Sequence, residues 1–324
     1  MVWLAGIDEA GYGPTLGPLV LSLASIEASP DVLRPGSEPR ELWDLLKPAI
    51  GRKVTKTARR LPVDDSKNLY SSGQGLGRLE ESVLGCVAAI HGSVPRDLDQ
   101  LLEWTSLESA SAYDSIPWYR DRAIELPVEG DPVRIERYRA ALTRVLDETV
   151  TKLALVCHPV SEQRLNRGIE ETGNKAEALL RELVHLVRVR RPRTGEKDIR
   201  VDRLGGRIYY TEPLEEAFPD CDVHCVKEGS AHSVYRVDGL FERMRFEFRM
   251  KGDRHELLIA MASMLAKYVR ELFMQAFNRF WADQVDGEIR PTAGYPVDAR
   301  RFLDRIRSDA RRLGIADEVL VRAR

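Results

Sequence analysis

Two short apolar, β-compatible runs, residues 2–7 and 19–26, are separated by a loop holding Gly11, Gly13, Pro14, Gly17 and Pro18, and two adjacent acids, Asp8 and Glu9, stand where the first run ends. The pattern predicts strand, loop, strand. A carboxylate at the end of a buried strand is expensive to desolvate unless a cation balances it, so Asp8 and Glu9 point to a metal ion or a paired cation. Neighbouring residues on a regular strand face opposite ways, and one site can use both only where the strand twists or ends. Gly11 and Gly13 make such a departure plausible. Taken alone, the pattern is more often a polar strand end with a glycine turn.

The chain has 324 residues, 43% of them hydrophobic, enough to bury a large core. Its 49 basic residues nearly balance 51 acidic ones, so no global basic field attracts nucleic acid, and any such attraction must come from local patches. Two are visible: Arg52, Lys53, Lys56, Arg59 and Arg60, and later Arg188, Arg190, Arg191 and Arg193. The first reads as a solvated loop or as a phosphate contact. Four cysteines are too few for a disulfide framework and suit a reducing compartment, and Cys221, His224 and Cys225 lack the second ligand pair of a zinc site. With no long apolar stretch and no signal-peptide pattern, the expectation is a soluble, cytoplasmic protein without a membrane partner.

Alternating strand and helix patterns predict an α/β fold with a mixed central sheet flanked by helices. The expected organisation is a core in residues 1–91, an insertion in 92–133, more core in 134–230, a β-hairpin insertion in 231–250 around Asp238-Gly239, and a core helix and basic C-terminal helix in 251–324. Tyr113, Trp118 and Tyr119 in the first insertion read as packing aromatics more readily than as base-stacking ones. Val201-Asp202 followed by Gly205-Gly206 repeats the opening chemistry, an acid at a strand end before a glycine turn, and predicts a strand parallel to and beside the first. Asp253, with Glu256 three residues on, also fits a capping box for the long helix of residues 255–281.

Asp8, Glu9, Asp202 and Asp253 thus form a set of acids without His or Cys, which suits hard cations, Mg²⁺ or Mn²⁺. Such clusters commonly hold two ions that activate water against a phosphodiester. The motifs resemble those of the type 2 ribonuclease H family, ribonuclease HII in particular. In order, they are Gly6-Ile7-Asp8-Glu9-Ala10-Gly11-Tyr12-Gly13-Pro14 with Gly17-Pro18, Asp65-Ser66-Lys67, Val201-Asp202, Lys251-Gly252-Asp253, residues 259–267, and Gly294-Tyr295-Pro296 with Asp298. The resemblance implies a ribonuclease H-like fold and metal-binding, catalytic roles for Asp8, Glu9, Asp202 and Asp253. It implies that Gly11, Tyr12, Gly13 and Tyr295 read a ribose 2′-hydroxyl, the group that separates RNA from DNA. It further implies that Ser66 and Lys67 contact the phosphate backbone, and that the substrate is an RNA/DNA hybrid or a DNA duplex with embedded ribonucleotides. Lys267 fits a buried ion pair equally well. The chain departs from the family at Tyr12, where Arg or Lys is usual, and in the long path from Lys67 to Asp202. A remodelled groove for structured DNA or RNA, or nucleic-acid binding without turnover, are the competing readings.

Overall fold

Residues 2–10 are almost continuously buried, as expected of a strand covered on both faces, and their neighbours in the sheet follow from that. The computed structural model describes every residue except 33–35, 37, 38, 53–58, 71–74, 150, 206, 241 and 324, and of residues 39 and 40 only the backbone. β1 (Val2–Ala10) runs antiparallel to β2 (Leu19–Ala28). There follow α1 (Pro39–Leu46), a small parallel pair of β3 (Ile50–Gly51) and β4 (Leu61–Pro62), the one-turn α2 (Ser66–Leu69), α3 (Gly77–His91), α4 (Leu98–Thr105), α5 (Pro117–Arg120) and α6 (Pro132–Thr149). The chain continues through β5 (Lys152–Val160), α7 (Glu162–Thr172), α8 (Lys175–Arg190), β6 (Glu196–Asp202), α9 (Thr211–Ala217), β7 (Asp222–Lys227), β8 (His232–Asp238) and β9 (Arg243–Arg249). It closes with α10 (Leu257–Gln284), α11 (Pro296–Arg312) and α12 (Asp317–Leu320).

The seven-stranded sheet has the order β5-β2-β1-β6-β9-β8-β7. β1, β6 and β9 are adjacent and parallel, and the remaining pairings are antiparallel. This is the mixed, helix-flanked α/β sheet that the strand and helix pattern predicts. Alternate residues of the strands feed two cores. Leu4, Ala24 and Leu155 face α3, α6 and α10 on one side, and Ile7, Leu21 and Val201 face α7 and α8 on the other.

α10 lies directly against β1 because Gly6 has no side chain. A Cβ there would sit 2.3 Å from the backbone N of Ile259 and 2.3 Å from the backbone C of Leu258. The aromatics of residues 92–133 join this contact: Tyr113, Trp118 and Tyr119 are buried against Phe273, Phe277 and Trp281 of α10, which agrees with the packing reading. Among the described residues no helix is long and apolar enough to cross a membrane.

Two sequence expectations change. The capping box at Asp253 does not form, because α10 begins at Leu257 and leaves Asp253 in a preceding 3-10 turn, residues Gly252–Arg254. Glu256, instead of reaching back, accepts a 2.7 Å hydrogen bond from Arg200 on β6, a buried ion pair stronger than an exposed cap contact. The 231–250 hairpin, expected as an addition, supplies β9, which pairs with β6 from Glu196↔Arg243 to Asp202↔Arg249. Its turn is closed by the Gly239 N–H donating to the Glu242 carbonyl at 2.8 Å.

The close approach at Gly6 gives the first prediction. Gly6→Ala should lower unfolding free energy by roughly 2–3 kcal/mol, read by urea denaturation, since backbone atoms and not a movable side-chain tip occupy the space of the new methyl.

Candidate metal centre

Three parallel strands end on the same side of the sheet, and the carboxyl ends of such strands are where open α/β sheets offer a crevice to ligands. β1 ends with Asp8 and Glu9, β6 ends with Asp202, and Asp253 follows β9 by four residues. The requirement that β1 end at the acids is met on one side only. Pairing with β6 stops at Ile7↔Val201, while pairing with β2 continues to Ala10↔Val20. Asp8 and Glu9 therefore lie past the last β6 partner. The Asp8 carboxylate turns back to accept the Glu9 N–H at 2.8 Å.

The four acids share an electrostatic site. Burial, then the Glu9 and Asp202 charges, hold Asp8 well above the usual carboxylate range, and the Ser263 hydroxyl opposes this by favouring the charged form. Burial and Asp202 push Glu9 up to about 8. Burial and Asp253 push Asp202 up to about 6 against the Gly252 N–H, which donates to Asp202 Oδ1 at 2.6 Å. That donor is aimed by Lys251, whose φ of 57° is left-handed backbone rarely adopted by a residue with a side chain. Burial and the Asp65 charge raise Asp253. One exposed ammonium, Lys67, lowers Glu9, Asp202 and Asp253 alike, so it lies within electrostatic reach of all three.

Lys67 reaches this position through α2. Asp65 caps that turn by accepting the Lys67 N–H at 3.0 Å, and Arg254 approaches Asp65 at 4.0 Å. Ser66 is buried, its Oγ 3.1 Å from Ser263 Oγ on α10, so it braces Lys67 and Asp8 from behind. Arg52 donates to the carbonyls of Arg254 and His255 and covers the Trp43 ring at 4.2 Å, fastening the turn that carries Asp253. Lys53 and Lys56 of the same basic run lie outside the described residues. Lys267 pairs with Glu271 at 2.5 Å, as the ion-pair reading has it.

The loop after β1 stands beside Tyr295. The Gly294 carbonyl accepts the Thr15 N–H at 2.7 Å and the Leu16 N–H at 3.2 Å. Tyr295 is half exposed, and a Cβ at Gly13 would lie 4.0 Å from its ring. Gly11 has φ 92°, and a Cβ there would meet the Arg270 side chain at 2.5 Å. Tyr12 is part-buried, and burial and the Glu9 charge raise its hydroxyl. The residues given no site role from the sequence are Ser263, Arg52, Arg254, Arg270 and Arg322; of these, Ser263 lies within the 259–267 motif and Arg52 within the basic run.

Among the described residues no three His, Cys, Asp or Glu side chains converge closely enough to hold an ion as they stand. The donor chemistry nonetheless fits a hard divalent cation: four carboxylates held up by burial and by neighbouring negative charge, and a Glu9 Oε2 that is buried without a hydrogen-bond partner.

A stability prediction follows with a definite sign. Glu9 has its ordinary value of 4.5 when unfolded and about 8 when folded, so between these pH values the native state binds more protons and stability falls as pH rises. Thermal melts of the metal-free protein should show this loss, and Glu9→Gln should flatten it. Saturating Mn²⁺ at pH 8 should raise the parent's Tm more than that of Glu9→Gln.

No family model matches the chain, and no curated protein is significantly similar to it. Among solved structures, the chain is similar to the PCNA:RNase HII complex from Archaeoglobus fulgidus, with 17% identity, TM-score 0.45, and 99% of this chain and 94% of the other covered. It is similar to ribonuclease H2 from Pyrococcus horikoshii OT3 at 13% identity and TM-score 0.44, covering 98% and 92%. Bst-RNase HIII in complex with Mn²⁺ matches at 14% identity and TM-score 0.41, covering 99% and 66%.

Proposed function

We propose that the chain is a Mg²⁺- or Mn²⁺-dependent endonuclease that hydrolyses the phosphodiester at ribonucleotides in RNA/DNA hybrids or in DNA with embedded ribonucleotides. The observation that carries the reading is the gathering of Asp8, Glu9, Asp202 and Asp253 at one end of three parallel strands, three of them within electrostatic reach of a single ammonium, Lys67. The order of the motifs along the sequence supports the ribonuclease H type. Two divalent ions on such carboxylates supply an activated water and charge stabilisation at the leaving oxygen.

The protein's own groups have distinct tasks. Ser263 and the Glu9 N–H orient Asp8, and the Gly252 N–H orients Asp202, so these two carboxylates are held before any ligand arrives. Lys67 faces outward, where it meets the phosphate being cleaved. Gly13 leaves exposed backbone beside the Tyr295 ring, a surface suited to a sugar carrying a 2′-hydroxyl, and Gly11, packed under Arg270, shapes the turn that presents it. Specificity then lies in the loop and Tyr295, and reactivity in the acids.

The deciding assay offers a duplex with one ribonucleotide, a full hybrid and an all-DNA control, each with Mg²⁺ or Mn²⁺. Cleavage at the ribonucleotide is the expected result. Absence of cleavage with both metals removes the proposal, and all-DNA cleavage at the same rate replaces its substrate. Asp8→Asn and Asp253→Asn should each lower the rate by roughly three orders of magnitude. Their Tm should be unchanged or higher, because neutralising one member of a repelling set relieves the others.

A further inference from the structure

Three basic side chains, Lys175, Arg322 and Arg270, gather at the Gly11–Gly13 loop. Lys175, the first residue of α8, places its Nζ 5.1 Å from the centre of the Tyr12 ring and makes no ion pair among the described residues. Behind it stands Arg322. Its Nη1 donates to the Gly11 carbonyl at 2.6 Å, it is 2% exposed, and its Nε and Nη2 are buried without hydrogen-bond partners. Arg270 of α10, 1% exposed, donates to the Leu16 and Ala293 carbonyls, and its Nε is also unpartnered.

The three cations repel one another. Burial and then Arg322 lower Lys175, and burial and then Arg270 lower Arg322 to about 10. The nearby acids offset this only in part. Glu162, pushed up to about 7 by burial and hydrogen-bonded by Tyr119, opposes the lowering of Arg322, and Glu271 approaches Arg270 at 3.7 Å while it is held by Lys267 and Tyr70. Glu177 is paired with Arg207 at 2.7 Å, and no acid pairs with Lys175 among the described residues. A half-buried ammonium on an aromatic ring, backed by under-partnered guanidiniums and by the positive end of a sixteen-residue helix, is arranged to take an anion. Tyr12 joins this place to the metal centre, since Glu9 acts on its hydroxyl.

We propose that Lys175 forms a phosphate-binding subsite with Tyr12 as its platform and Arg322 and Arg270 behind it, taking a backbone phosphate next to the ribose that rests on the Gly11–Gly13 loop. This rests on the nuclease reading for its ligand. Lys175 touches the phosphate, whereas Arg322 and Arg270 position the loop and maintain the local field.

The test measures binding without turnover: fluorescence anisotropy of a short labelled RNA/DNA hybrid in EDTA, over a range of NaCl, with Tm as the control for folding. Lys175→Gln should weaken binding roughly tenfold and make the slope of log affinity against log salt shallower by roughly 0.9, while Lys175→Arg keeps both near the parent values. Unchanged affinity and slope in Lys175→Gln would overturn the subsite, as would Lys175→Arg binding as weakly as Lys175→Gln, or a parent that does not bind the hybrid. A parent that binds with the Lys175-dependent slope but cleaves nothing sinks the nuclease reading alone. Cleavage by a parent whose binding ignores Lys175 sinks the subsite alone.

Discussion

Burial of neighbouring carboxylates at the ends of β1 and β6 is the constraint on which this structure turns. Each acid would be tolerable alone at a strand end, but burial raises all three, Glu9 and Asp202 raise Asp8 further, Asp202 raises Glu9 and Asp253 raises Asp202, and the fold must hold them against that. It does so with fixed donors from three directions: the Glu9 N–H on Asp8, the Gly252 N–H on Asp202, and Ser263 from α10. Ser263 is in reach only because Gly6 lets α10 rest on β1 backbone to backbone. The Gly252 donor is in place only because Lys251 adopts left-handed backbone. Local strain and close packing thus serve the same end, a preformed set of charges with too few cations.

The layers around α10 explain why this arrangement is rigid. Trp118, Tyr119 and Tyr113 fill the far side of the helix against Phe273, Phe277 and Trp281, with edge-on ring contacts that favour one packing over many. Residues from both chain ends meet above it. Gly294 holds Thr15 and Leu16, and the Arg322 N–H donates to the Thr15 carbonyl at 2.9 Å, so the loop that would read the sugar is fastened by residues roughly three hundred positions away in sequence. Hydrogen bonds from Asn166 of α7 to the carbonyls of Glu318 and Val321 anchor that terminal segment in turn. The loop's conformation therefore reports on contacts far from it in sequence.

How much was legible in the sequence differs from residue to residue. β1 and β2 were readable because a continuous apolar run bounded by glycine and proline has few other uses, and Asp202 because it repeats the acid-glycine ending of β1. Asp253 was readable as an acid of the set but carried a false second role. A capping box is a local pattern, and the Arg200–Glu256 pair that displaced it comes from a strand more than fifty residues away. The hairpin turn at Gly239 was visible, whereas the pairing of β9 with β6 was not, since hydrophobic alternation says which face is buried and nothing about which strand lies alongside. Lys175 and Arg322 left no signal at all, being single basic residues in a chain that has forty-nine.

By itself, then, the sequence determined the element types, the two-sided burial of the central strands and the presence of four acids at element ends, because periodicity, glycine placement and the cost of desolvating a carboxylate act locally. Only the tertiary structure decided which charges share a field: that Lys67 lies within electrostatic reach of three of the acids, that Tyr12 lies between Glu9 and Lys175, and that two arginines are buried behind the loop with nitrogens unpartnered. Electrostatic energy depends on distance through space and on the water excluded between the groups, and neither quantity is carried by position along the chain.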